Sequence, residues 1–220
     1  MKEMINHSMM RSFLVLIASA MALLSASVAS AAPAQSADVT IRTATEEFQA
    51  LIKADHAKYR ADMSSFYKVV EEKVVPHFDT KGIAQLVLGK NWKAATPEQR
   101  TRFEAAFKDS LIRTYARAML DYHDSVKAEW APLRAEAGAT DVTVNAKILR
   151  QNGPPIPLSF STHVVGDAWK IYDISVENIS LITNFRSQLN VDIKTNGLDA
   201  VIKKFEDNTY LKQNPPVAGT

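Results

Sequence analysis

The chain has 220 residues, with 26 Lys and Arg against 24 Asp and Glu, a formal charge of +2, 46% hydrophobic residues and no cysteine. Near-neutral charge, with no basic stripe interleaved with aromatics, argues against a nucleic-acid partner. The missing thiols exclude disulfide stapling, thiol catalysis, CxxC redox chemistry and cysteine-ligated metal.

In chain order, Lys2 and Arg11 flank the start of an apolar run from Phe13 to Leu24, and Ala29 and Ala31 fill the −3 and −1 positions of a cut after Ala31. A basic start, a short apolar core and an A-x-A site make a secretory signal peptide over residues 1–31. A membrane anchor is the weaker reading, because so short a run rises only about 18 Å as a helix against a hydrocarbon core of about 30 Å. No cysteine follows the cut, which argues against a lipid-anchored form. The exported product is expected to have a mobile lead-in over 32–37, a single domain over 38–213 and a flexible tail over 214–220.

From Val39, Ile41, Thr45, Phe48 and Ile52 recur at helical spacing. A second helix is expected from Ser64, with Phe66, Val69, Val70, Val74 and Val75 as a wide apolar face, ended by Pro76 and Asp79. Thr80 is placed to cap a short helix that stops at Gly89. Thr96-Pro97-Glu98-Gln99 is the clearest local signal, a capping box with proline at the first helical position. Behind it Phe103, Phe107, Leu111, Tyr115 and Met119 keep a four-residue spacing, which predicts the longest helix.

The period then changes from helical to alternating. Val126, Ala128 and Trp130 alternate, as do Val142 to Ile148, Ile156 to Val164, and Trp169 onward to Val176. Asn152-Gly153-Pro154-Pro155 and Gly166-Asp167 supply turns between them. The last part returns to helix, over Ile179 to about Asn190 and Leu198 to about Leu211. Helices, a four-stranded antiparallel meander and helices again predict an α+β fold.

Catalytic chemistry is hard to assemble from these residues. His56, His77, His123 and His163 fall in no metal-binding spacing, and there is no GxSxG elbow or phosphate-cradling glycine loop. His123 between Asp121 and Asp124 reads as a helix-end charged patch rather than a ligand cluster. Asp173, amid apolar residues, reads as a hydrogen-bond acceptor rather than a catalytic acid. The pattern favours binding over catalysis, but periodicity alone does not separate filled core from lined cavity.

Ordered stretches of the chain resemble the MlaC/Ttg2D (toluene-tolerance) family of periplasmic phospholipid-binding proteins. They are Val74-Val75-Pro76-His77-Phe78-Asp79; Leu88-Gly89-Lys90-Asn91-Trp92-Lys93-Ala94-Ala95-Thr96-Pro97-Glu98-Gln99-Arg100; and Phe103 to Phe107 with Leu111 to Tyr115. Trp169 to Ile174, Ile179 to Leu189 and Gly197 to Ile202 continue the match towards the C-terminus. The family often has glycine where this chain has Asn178, and asparagine is the next residue best able to take a left-handed turn.

The resemblance implies helices packed on one side of a curved four-stranded sheet, an NTF2-like or MlaC-like arrangement, with an apolar cavity between the layers. It implies a non-enzymatic periplasmic shuttle whose cargo is a glycerophospholipid, with no cofactor. Its implied partners are an MCE-domain ABC transporter complex at the inner membrane and a lipoprotein–porin complex at the outer membrane. A periplasmic chaperone or protein-binding module without lipid is the alternative. Cavity-lining residues are expected among Tyr115, Met119, Val144, Ile148, Phe160, Val164, Trp169, Ile171 and Leu181.

Overall fold

The computed structural model describes residue 33 and residues 35–124, 127–150 and 153–214. The expected leader over 1–31, the tail beyond Asn214, and Val126 and Asn152 lie outside these described residues. The first helix, α1 (Ala37–Ala61), starts inside the stretch read as a lead-in: Ala37 is fully buried, and the indole of Trp169 donates to the carbonyl of Gln35. Asp55 breaks its helical geometry with φ −115° and ψ 18°. Asp62 caps α2 (Met63–Lys73) by accepting from the amides of Ser64 and Ser65. Pro76 then sits in a single 3₁₀ turn, Val75–His77, because a proline inside the helix would cost a backbone hydrogen bond.

Asp79, rather than Thr80, caps α3 (Thr80–Leu88), its carboxylate accepting from the amide of Gly82 at 2.9 Å. That carboxylate folds so closely over the first turn that a Cβ on Gly82 would lie 2.1 Å from its oxygen, so any larger residue there would displace the capping side chain. Gly89, at φ +53°, turns the chain in the left-handed region between α3 and the short α4 (Lys90–Ala94). The capping box at Thr96 and Gln99 starts α5 (Pro97–Tyr122), the longest helix, with both reciprocal bonds made.

The sheet is an antiparallel meander in sequence order: β1 (Lys127–Trp130), β2 (Asp141–Leu149), β3 (Ile156–Val165), β4 (Ala168–Val176) and β5 (Ile179–Ser180). Among the described residues it has five strands, not the expected four, because β5 is two residues long and too short to show alternation. Glu177 and Asn178 form the loop before β5, both at positive φ, as a two-residue hairpin of the primed type demands. Along β2, buried Val142, Val144 and Ala146 alternate with exposed Asp141, Thr143, Asn145 and Lys147. A bulge between Ser161 and Thr162 shifts the register of β3 against β4.

Beyond the sheet lie α6 (Leu181–Asn196), α7 (Leu198–Glu206) and α8 (Tyr210–Gln213). The single final helix expected over 198–211 is split, since Asn208 takes φ +54° and stops the helical run. Among the described residues, buried side chains gather in three clusters. One joins α3, α5, α6, α7 and α8 through Leu88, Phe103, Phe107, Phe185, Phe205 and Tyr210. Its rings meet both edge-on, as for Phe107 with Phe185 at 5.2 Å between centroids, and stacked, as for Phe205 with Tyr210 at 4.2 Å, and each such pair is worth about 0.5–1.5 kcal/mol beyond burial. The second packs the sheet's apolar face on the start of α1, and the third joins α1, α2 and the end of α5 around Phe66.

Candidate functional site

The four-residue stripe of α5 leads out of the first core into open space. Phe103 and Phe107 are buried, and the next three members, Leu111, Tyr115 and Met119, line a cavity of about 260 Å³. Val70, Val74 and Phe78 close it from α2 and the turn that follows, Ile171 and Ile174 from β4, and Leu181, Ile182 and Phe185 from α6. The isolated bridge between Phe78 and Ile171, with the Asp79 amide donating to the Ile171 carbonyl at 2.9 Å, fastens that turn to the sheet.

Polar groups on this wall are almost all engaged with one another. Thr80 donates its hydroxyl to Glu104 at 2.8 Å, and Tyr172 donates to Asp141 at 3.2 Å. Lys108 pairs with Glu71 and, at 3.3 Å, with Asp109. Asp173 accepts from the Ser180 hydroxyl at 2.6 Å and the Ile182 amide at 3.1 Å, which ties β4 to the first turn of α6. Asp173 therefore holds the chain as an acceptor of neighbouring hydrogen bonds. The phenol of Tyr115 is pushed up to about 12 by burial, the signature of a strongly apolar surrounding. Such a wall offers a ligand contact with hydrocarbon and little else.

A second cavity, of about 290 Å³, adjoins the first. The front of α1 roofs it with Ile41, Ala44, Phe48 and Ile52, Phe160 of β3 lies across from them, and Ala118 and Tyr122 stand at the end of α5. Val74, Phe78, Met119, Ile171 and Ile174 belong to the walls of both cavities, so the two adjoin across this shared apolar wall between helices and sheet. Met119 (38% exposed) and Tyr122 (61%) bring that region to the surface.

Of the nine expected lining residues, Tyr115, Met119, Ile171 and Leu181 line the first cavity, and Phe160, again with Met119 and Ile171, lines the second. Val144, Val164 and Trp169 pack with Ala37 and Ile41 in the cluster between sheet and α1, and line neither cavity. Ile148, half-buried near the end of β2 and paired with Ala128 and Ile156, also lines neither. The sequence reading missed the helical wall made by Phe48, Val70, Val74 and Phe78. Its signal was the breadth of the apolar face on α2, from Phe66 to Val75, which is wider than one packing seam needs.

His123 donates through Nδ1 to the Leu120 carbonyl (2.9 Å apart) and stacks on His56 with centroids at 4.5 Å, closing the end of α5. Among the described residues no three His, Asp or Glu gather as metal ligands, and no helix is long and apolar enough to cross a membrane.

Comparison with known proteins locates this architecture. The family model described as MlaC protein matches residues 42–207. Toluene tolerance protein ttg2D of Pseudomonas putida is 28% identical over 168 residues, covering 76% of this chain and 77% of that protein. The intermembrane phospholipid transport system binding protein MlaC of Haemophilus influenzae is 23% identical over 174 residues, covering 77% and 80%. Among solved structures, the phospholipid-binding protein of Ralstonia solanacearum, in complex with a phospholipid, superposes with a TM-score of 0.72 at 30% identity, covering 80% of this chain and 97% of its own.

Proposed function

The chain belongs to the MlaC protein family, and on that premise we propose that it is a periplasmic carrier that shelters the acyl chains of a glycerophospholipid and shuttles it between membranes. The observation that carries this reading is the pair of adjoining, mainly apolar cavities, about 260 and 290 Å³, the first of which has bordering polar groups largely engaged with neighbouring residues. The phospholipid seen in the Ralstonia relative supports the same cargo class.

Each methylene withdrawn from water contributes about 0.8 kcal/mol, so two chains with roughly 30 methylenes gain over 20 kcal/mol gross. A membrane offers nearly the same shelter. Net transfer is therefore close to balanced, and its direction is set by the docking complexes. We assign these as an MCE-domain ABC transporter complex at the inner membrane and a lipoprotein–porin complex at the outer membrane. The phosphate-bearing headgroup stays at the surface, because burying it unpaired would cost several kcal/mol. No bond is made or broken, so the protein is not an enzyme and lipid is its only ligand.

Solvent extraction of the purified protein followed by mass spectrometry tests the reading. Near-stoichiometric, unmodified glycerophospholipid is the expected result. Lipid-free, monodisperse protein that cannot be loaded from vesicles would refute it in favour of a protein-binding module. Lyso-lipid or fatty acid accumulating with time would instead indicate a hydrolase.

A further inference from the structure

A lipid with one chain in each cavity has a single glycerol, which must sit where the two cavities meet and reach solvent. Of the five residues common to both walls, Met119 is the one with a markedly exposed side chain. Tyr122, three residues further along α5, continues that opening. Val74, the residue just past the end of α2, belongs to the same shared wall as Met119, and next to it in the chain is Lys73, the last residue of α2, exposed and itself part of the second cavity's lining.

Four basic side chains belong to the two linings, and their environments differ. Lys108 is committed to Glu71 and Asp109. His123 is held between the Leu120 carbonyl and Asp124. His77 is held below its ordinary value by burial first and then by the charge of Lys170, with Glu47 opposing, so at neutral pH it brings no positive charge. Lys73 is the one lysine of the two linings with no hydrogen bond or ion pair to its side chain among the described residues.

We propose that Lys73 is the headgroup anchor of this carrier, its ammonium taking the phosphate diester of a lipid whose chains run into the cavities on either side of Val74 and Met119. This rests on the reading of a phospholipid cargo. It adds a polar specificity element to a site that otherwise selects only for hydrocarbon. An ammonium suits this role because it is a compact point charge on a flexible stem, able to follow a phosphate that stays hydrated.

The test is competitive loading of lipid-stripped full chain from vesicles containing equal amounts of phosphatidylglycerol and diacylglycerol, two lipids with the same chains. Wild type should take the phospholipid in about three- to fivefold preference, the size of an exposed charge pair. Lys73→Gln should abolish that preference, Lys73→Glu should reverse it, and Lys73→Arg should retain it. Lys73→Gln guards against the stability loss that a carboxylate at a helix C-terminus can bring. An unchanged ratio in both Lys73→Gln and Lys73→Glu overturns the anchor while leaving the acyl-chain reading intact. Wild type that loads neither lipid overturns the carrier reading itself. Inorganic phosphate that shifts the Lys73 side-chain NMR signal of stripped protein as strongly as lipid does would identify a general anion site and overturn the headgroup assignment.

Discussion

Replacing Ala44 with tryptophan puts bulk into the second cavity from its roof. Ala44 is half-buried on α1 and lines that space, so the ring enters room that no protein atom fills. The helix loses about 0.5 kcal/mol in propensity, and burying even part of an indole of about 150–250 Å² returns more than that at 25 cal/mol per Å². The variant should therefore be as stable as wild type or slightly more so. Lipid loses what the fold gains. An indole displaces roughly five methylenes' worth of chain, a forfeited shelter of about 4 kcal/mol gross for a chain that cannot relocate. Since about 1.4 kcal/mol is tenfold, long-chain lipid should be almost absent, and any cargo retained should be enriched in species with one short chain. Thermal melting with extraction and mass spectrometry reads both halves. A stable variant carrying wild-type amounts of unchanged lipid would refute the placement of an acyl chain beneath α1.

Other perturbations separate packing from cargo. Val144→Trp enters a filled region, 1% exposed and packed in the sheet–α1 cluster, so it should cost about 1–3 kcal/mol in urea unfolding, in contrast to Ala44→Trp. Thr96→Ala removes half of the capping box and should cost about 1 kcal/mol, seen as a Tm lower by roughly 2–4 °C, with lipid content unaffected. His77 binds its proton more weakly in the folded protein than in the unfolded chain. The unfolded state thus takes up protons first as pH falls, and stability should decline from about pH 6.5 downwards until the folded-state value is passed. His77→Gln should flatten that part of the stability–pH curve measured by urea titration.

The helical wall and the sheet were legible to different degrees. The capping box at Thr96 and Gln99 is a local motif, and α5 begins where it says. β2 alternates strictly because one face packs and the other is exposed, so its register is visible in the sequence. The site is harder because periodicity gives the face of an element but not what lies opposite. Phe103 and Met119 share one stripe, yet the first meets α7 and the second meets open space. On the sheet, Val144 and Phe160 are directly paired on one face, yet only Phe160 reaches the second cavity. The bulge between β3 and β4 leaves Tyr172 of β4 as the extra residue, and Ile171, Tyr172, Asp173 and Ile174 all line the first cavity, which no simple alternation along β4 would suggest. Asn178 was readable as a left-handed position, but the two-residue strand it introduces was not.

The division of the buried residues into three clusters arranged about unfilled space has a mechanical consequence. Hydrostatic pressure favours whichever state leaves the least empty volume, and the volume lost on unfolding scales with internal voids. A lipid-free molecule with cavities of about 260 and 290 Å³ should be soft under pressure, whereas the same chain with acyl tails in place should behave as a filled solid. Compressibility then becomes a direct gauge of occupancy, and the stiffness of this protein belongs partly to its passenger.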